Sequence, residues 1–311
     1  MCILLSIIGH TINKAHHLRY DGNPRLDYYY PEDLGLCRDD FSFKSGRFLL
    51  RGSRYWVEGK KAEALVVFFH GIGAGRNAYM KEIAALAKEG YLVYAYDNTG
   101  CMDSEGTYIK GLGQTAKDQA AFFAWLEKDP RSKGLRRYAV GHSWGGYSAL
   151  LSAKKEFKVE KIVSLAGFSQ PSRQYASYLR PHWLRALRPE ISLFLFLQLG
   201  PYGDIDAVKR IKRSNVQLLY IQGNEDQMVP MDAGMNDLRK RLGKRPNTEF
   251  VIVNHQGHNP YLSVKSEKYL MELNKMRAHS LDGPSTIDFD LAKATEENEV
   301  VMKKVFDFLA G

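Results

Sequence analysis

Residues 65–69, Leu-Val-Val-Phe-Phe, form an apolar run with no polar position inside it. A strand with one face in water alternates apolar and polar residues. A short unbroken apolar run is instead expected of a strand buried on both faces, which requires layers of structure above and below the sheet. The rest of the chain supplies them. Residues 79–88 carry Ile83 and Leu86 at helical spacing, with Gly90 where a C-terminal cap belongs. Strands are then expected at 91–96, 137–140, 161–166, 216–221 and 249–253, and helices at 114–128, 144–155 and 232–242. Two helical segments, 263–277 and 291–309, are separated by a break at Gly283-Pro284. Residues 48–50 and 55–57 read as a leading antiparallel pair around Gly52. Residues 10–40 read as an irregular arm in which Tyr28-Tyr29-Tyr30-Pro31 lies against the domain. Strands alternating with helices at this spacing predict an α/β fold, with a mostly parallel sheet and helices on both faces. Functional groups then belong at the carboxyl ends of the strands.

The stretch 168–203 breaks the rhythm. It is too long for a connection and is rich in large apolar residues, so it is expected to form a small inserted helical cap. The expected organisation is an N-terminal arm at 1–40, a core at 41–167 and 204–311, and the cap at 168–203. The chain has 311 residues, 44% hydrophobic and 25% charged, which is ordinary globular composition. No apolar run approaches the ~20 residues of a membrane span. The net charge of +9 includes basic clusters at 180–188, 209–213 and 239–245. No zinc-finger, homeodomain or RNA-recognition motif accompanies them, so no nucleic-acid partner is expected, while transient contact with a lipid surface stays open. The cysteines Cys2, Cys37 and Cys101 form no CxxC pair and point to a reducing, cytoplasmic setting. The apolar residues 2–9 lack a basic leader and a cleavage site. They are expected to pack on the core, with membrane association through them as the alternative.

The chemistry concentrates in residues 140–146, Val-Gly-His-Ser-Trp-Gly-Gly. G-x-S-x-G is a weak signal alone. Between an expected strand and an expected helix it has the setting of a nucleophile elbow, which lifts the Ser143 hydroxyl above the sheet edge. A serine needs a base to take its proton, and the base needs a group to hold its tautomer. After the strand at 216–221 comes Gly-Asn-Glu-Asp-Gln-Met-Val-Pro at 223–230, where Asp226 is the candidate orienting group and Glu225 its rival. After the last strand, residues 254–260 hold two histidines. His258, behind Gly257, is preferred as base because the longer loop lets it reach back over the sheet, and His255 is its rival. The loop 70–75, His-Gly-Ile-Gly-Ala-Gly, brings the main-chain N–H of Ile72 toward that of Trp144, two donors for a developing oxyanion. The same loop with Asp97 suggests a dinucleotide site, but Arg76 stands where the third glycine of G-x-G-x-x-G belongs, so no cofactor is expected. In the cap, Tyr175, Tyr178, Trp183, Phe194 and Phe196 are the candidates for contact with substrate.

These residues resemble the α/β-hydrolase superfamily over about residues 48–262, and within it the monoacylglycerol-lipase-like and serine-aminopeptidase-like branch. The resemblance rests on the elbow at 141–145, His70-Gly71-Ile72-Gly73, and Asp97 and Gly100 followed by Ser104-Glu105-Gly106. Gly223, Asp226, Val229-Pro230 and Gly257-His258 complete it. It implies an eight-stranded sheet, a helical cap after the sixth strand, and a metal-free, cofactor-free ester or amide hydrolase. The expected activity is hydrolysis of small-molecule carboxylic esters, with short to medium acyl groups and a hydrophobic component, through Ser143, His258 and Asp226. An amidase or exopeptidase on the same triad and a non-catalytic lipid-binding member of the fold are the alternatives.

Overall fold

The computed structural model describes residues 18–22, 27–279 and 289–311; the apolar run at 2–9 and the Gly283-Pro284 break lie outside them. Eight strands form one sheet in the order β1-β2-β4-β3-β5-β6-β7-β8. They are β1 (Cys37–Ser45), β2 (Phe48–Trp56), β3 (Ala64–Phe69), β4 (Leu92–Tyr96), β5 (Arg136–His142), β6 (Val159–Leu165), β7 (Gln217–Gly223) and β8 (Thr248–Val253). β2 pairs antiparallel with both β1 and β4, and every pairing from β4 across to β8 is parallel.

All six residues of β3 are buried, and alternate side chains enter opposite layers. Leu65, Val67 and Phe69 join one core with helices α2 (Gln114–Leu126) and α3 (Trp144–Leu151). Ala64, Val66 and Phe68 join the other, with α1 (Met80–Lys88) and the last helix (Glu299–Ala310). The unbroken apolar run is thus one strand serving two cores, as its composition requires. The chain leaves β3 for β4 and then passes back to β5 on the other side, so the order reverses between β3 and β5. A crevice opens outside the carboxyl ends of strands at such a point.

Three expectations are corrected. Residues 37–45 are not irregular: they form β1 and pair with β2 over nine positions, so the arm boundary at 40 falls inside a strand. Gly52 lies within β2 and makes no break there. A Cβ at Gly52 would lie 2.5 Å from the ring of Phe41 and 2.7 Å from the Ala95 carbonyl oxygen, so the glycine serves close packing between neighbouring strands. The helix expected over 291–309 is two, Leu291–Ala294 and Glu299–Ala310, because Asp290 and Asn298 each accept a hydrogen bond from a main-chain N–H of a new first turn.

Between β6 and the helix Ala207–Lys212 the chain forms α4 (Pro171–Ser177), a 3-10 segment (His182–Leu187), α5 (Arg188–Leu199) and a further 3-10 turn. Glycines fasten this segment to the core. A Cβ at Gly203 would lie 2.0 Å from the Leu195 carbonyl oxygen, and one at Gly113 would lie 2.4 Å from the Gly203 carbonyl oxygen. Among the described residues no helix is long and apolar enough to cross a membrane.

Glu82 is buried on α1. Burial, and then the neighbouring Glu297, push its carboxyl up from 4.5 to about 8. The folded chain therefore keeps a proton that the unfolded chain has released, and stability falls as pH rises from about 4.5 to about 8, with no further loss above. Glu82→Gln removes this dependence. Its stability relative to wild type is expected to climb through that window and then level off, as urea unfolding at about pH 5, 7 and 9 would show.

Candidate active site

Ser143 follows β5 directly, with its backbone at φ 58°, ψ −118°. A Cβ is strained there, and the strain persists only where surrounding contacts enforce it. Three glycines allow those contacts. A Cβ on Gly141 would lie 2.2 Å from the Gly145 carbonyl oxygen, one on Gly145 would lie 1.9 Å from the Phe69 carbonyl oxygen, and one on Gly146 would lie 2.8 Å from the Gly167 Cα. The elbow is held from its other side too, because the Ser143 N–H donates to the Leu165 carbonyl at the end of β6 (2.8 Å). α3 starts at once, with the Tyr147 N–H donating to the Ser143 carbonyl (3.0 Å).

Asp226 sits in the loop leaving β7. Its Oδ1 accepts from the N–H groups of Met228 (2.9 Å) and Val229 (2.8 Å), and its Oδ2 from the Gln222 amide (3.2 Å). His258 Nδ1 lies 3.0 Å from each carboxylate oxygen. The carboxylate can only accept, so Nδ1 carries a proton, and Nε2 is the nitrogen that Asp226 leaves unengaged. The rivals separate clearly. The His255 side chain is 87% exposed, against 17% for His258, and stands 3.5 Å from Glu225, which is also exposed.

The loop that carries His258 is shaped from beneath. Gly223, the last residue of β7, lies under it so closely that a Cβ there would be 2.1 Å from the Gln256 carbonyl oxygen. Buried Glu267, on the helix Val264–His279, accepts from the N–H groups of Gly257 (2.7 Å) and Asn259 (3.0 Å) and from the Gln256 amide (2.8 Å). Glu267 is not apparent as a site residue in the sequence, because it acts on the loop through main-chain N–H groups and side-chain amides rather than on a catalytic side chain.

A second support is also absent from the sequence reading. His142 Nε2 donates to the main-chain carbonyl of His258 (2.9 Å), since a carbonyl can only accept. Burial, and then the nearby His258 ring, hold the His142 imidazole well below its ordinary value, so the ring is neutral and its Nδ1 accepts from the Tyr79 hydroxyl (2.9 Å). The Tyr79 oxygen accepts in turn from the Gly71 N–H (3.1 Å). One chain of hydrogen bonds thus links the 70–75 loop, the residue before Ser143 and the backbone of His258.

His70 is fixed as well. Its Nε2 accepts from the Asn98 N–H (3.0 Å), so its Nδ1 carries the proton and donates to the Gly71 carbonyl (2.8 Å). Asp97 accepts from the Arg76 N–H (2.8 Å) and pairs with its guanidinium, and the Ser104 hydroxyl donates to the Asp97 carbonyl (2.6 Å). Asp97 is therefore committed to bracing this loop rather than holding a ribose. Cys101 is fully buried, and burial pushes its thiol well up.

Ser143 and Trp144 share a cavity of about 1040 Å³ with Ile72 and Gly73 of the 70–75 loop. Three of the candidates for substrate contact, Tyr175, Tyr178 and Phe194, line it together with Ile191 and Leu195 of α5. Trp183 and Phe196 do not: both are largely exposed. The sequence reading also misses a wall built by Leu18, Arg19 and Tyr20. Arg19 holds that arm in place by donating to the carbonyls of Ser104 (2.7 Å) and Gly106 (2.9 Å).

Residues 60–204 match the family model described as serine aminopeptidase, S33. The chain has the α/β-hydrolase fold. Its fold is shared with esterase Pf2001 of Pyrococcus furiosus (TM-score 0.60, 20% identity, 94% of this chain and 97% of that one). It is also shared with the acylaminoacyl peptidase of Pyrococcus horikoshii (TM-score 0.54, 21% identity, 84% and 44%). A putative dipeptidyl aminopeptidase IV of Bacteroides ovatus aligns with TM-score 0.56 at 17% identity, over 77% of this chain and 35% of that one. No curated protein matches the sequence significantly.

The backbone at Ser143 yields a stability prediction. Glycine is normally the less stable replacement, but only glycine relaxes fully at φ 58°, ψ −118°. Ser143→Gly is expected to be more stable than Ser143→Ala by about 1 kcal/mol, measured by urea unfolding of the two variants.

Proposed function

We propose that the protein is a serine hydrolase that cleaves carboxylic esters carrying a substantial apolar group, through an acyl-enzyme intermediate. The observation that carries this reading is the placement of His258, with Nδ1 3.0 Å from both oxygens of buried Asp226. In the proposed reaction the Ser143 oxygen attacks the ester carbonyl while His258 Nε2 takes its proton. The Asp226 carboxylate stabilises the resulting imidazolium. The N–H groups of Ile72 and Trp144 receive the negative charge that develops on the carbonyl oxygen. Collapse of the tetrahedral intermediate breaks the bond to the alcohol, which leaves with the proton from His258. Water, deprotonated by the same ring, then attacks the acyl carbon and frees the acid and Ser143.

The cavity supports an apolar substrate. Its volume lies just above the ~300–1,000 Å³ usual for small-molecule sites, and Ile109, Leu112, Phe168, Leu179 and Val229 extend its apolar wall. An exopeptidase reading is favoured by the name of the matching family model and by the peptidases among the structural neighbours. An aminopeptidase must hold a free ammonium group, and no carboxylate is among the described residues lining this cavity. Asp204 accepts from the Ser172 N–H (2.7 Å) and the Gln170 amide (2.8 Å), Asp206 pairs with Arg241, and Glu190 is exposed. Ester hydrolysis is the reading that fits these walls.

A fluorophosphonate probe is expected to label wild type and not Ser143→Ala; labelling that survives the substitution removes Ser143 from the mechanism. His258→Ala is expected to lower kcat by about 10⁴-fold or more, and His255→Ala to change it less than about threefold. Across p-nitrophenyl esters from acetate to palmitate, kcat/KM is expected to peak about tenfold or more above acetate. Near-background rates at every chain length would refute the ester assignment.

His142 and Tyr79 act through His258 as positioning residues. His142→Leu, which loses the donor to the His258 carbonyl, is expected to lower kcat about tenfold or more with little change in KM. His142→Gln, which keeps a donor at the Nε2 position, is expected to recover most of that loss. Equal loss in both variants would show that the hydrogen bond does not matter.

A further inference from the structure

Helix α5 is apolar on two opposite sides. Ile191 and Phe194 face the cavity, while Leu193 is 60%, Phe196 54% and Leu197 61% exposed. The outward side continues onto the preceding 3-10 segment, where Trp183 is 72% exposed and Leu187 is exposed too. A helix apolar all round is normally buried all round, and a contiguous exposed patch of this kind marks an interaction surface. The patch also reaches the cavity mouth, where Tyr178 and Met228 are both exposed and part of the lining.

The surrounding charge selects the partner. Arg180, His182, Arg185 and Arg188 lie in the same stretch, and Glu190 is its one acidic residue. Arg185 pairs at 3.3 Å with exposed Asp232, which leaves the rim basic. A two-fold contact with a second copy would set this patch against itself and bring arginines against arginines. An anionic bilayer instead offers hydrocarbon to the leucines and aromatic rings and phosphate to the arginines.

We propose that the outward face of residues 180–197 docks on an anionic lipid surface, with the cavity mouth turned toward it. The inference rests on the shape and charge of this face and does not depend on the hydrolase reading.

The test uses full-length Ser143→Ala protein, so that lipid turnover plays no part. Binding is measured by co-sedimentation with vesicles of phosphatidylcholine alone and of phosphatidylcholine mixed with phosphatidylglycerol. The expected result is binding to the mixed vesicles about tenfold or more tighter than to the neutral ones, weakened by added salt. Leu193→Gln with Leu197→Gln is expected to weaken it by a further tenfold or more. Should that pair fail to fold by circular dichroism, Trp183→Gln tests the same face from the neighbouring segment. Absence of binding to both vesicle types overturns the proposal, as does equal binding to both. Self-association in sedimentation equilibrium that Leu193→Gln with Leu197→Gln abolishes, without vesicle binding, assigns the face to a second copy and overturns it as well.

Discussion

The structure turns on backbone packed against backbone at the carboxyl ends of β3, β5 and β6. Gly145 meets the Phe69 carbonyl and Gly146 meets Gly167 at separations that no side chain tolerates. This contact presses α3 against the sheet and leaves Ser143 at positive φ with its side chain at the crevice between β3 and β5. The strain at Ser143 is a local cost of about 1–3 kcal/mol, offset by the two cores that β3 serves. The order of the sheet decides where that strain can be useful, because it sets the end of β5 beside the loop that leaves β3.

Around this turn the fixed elements are polar and mostly main chain. Asp226 is oriented by two N–H groups and the Gln222 amide before it meets His258. Glu267 holds the His258 loop from below, and His142 holds its carbonyl from the side. His70 and Tyr79 meet at Gly71, one on its carbonyl and the other on its N–H. Each donor and acceptor has one chemically consistent assignment, so the protonated nitrogens of His70, His142 and His258 are all determined by their neighbours. The basic clusters of the sequence also find uses within the fold. Arg210 donates to the Leu151 carbonyl, Arg241 pairs with Asp206 and Asp237, and Arg245 donates to the Ser214 carbonyl. In the segment between β6 and the helix Ala207–Lys212, Arg180 and Arg185 both donate to the Ser177 carbonyl and border the exposed apolar side of α5.

Much of this is legible in the sequence, for physical reasons. A strand buried on both faces must be apolar throughout, and a serine at positive φ between two packed backbones needs glycine two residues before and after it. The order of the strand ends then points to Asp226 and His258, whose side chains lie 3.0 Å apart. β1 is less legible because its three buried positions are Phe41, Phe43 and Ser45, and the third is polar. Its hydroxyl is buried only because it donates to buried Asp118 (2.6 Å). The hydrogen-bond chain through Tyr79 and His142 leaves no sequence signal, since it ends on main-chain groups and joins residues 63 positions apart. The facing of α5 is likewise hidden, because residues 191–197 are apolar without a period and nothing in them distinguishes the cavity side from the outer side.

In the proposed reaction the Ser143 oxygen carries the acyl group between the two halves of the cycle. Acid-quenching the protein during turnover of a p-nitrophenyl ester, followed by peptide mass spectrometry, tests this most directly. The expected result is an increase equal to one acyl group, confined to the peptide containing Ser143. An acyl group on another residue, or turnover with no adduct on any peptide, would contradict it.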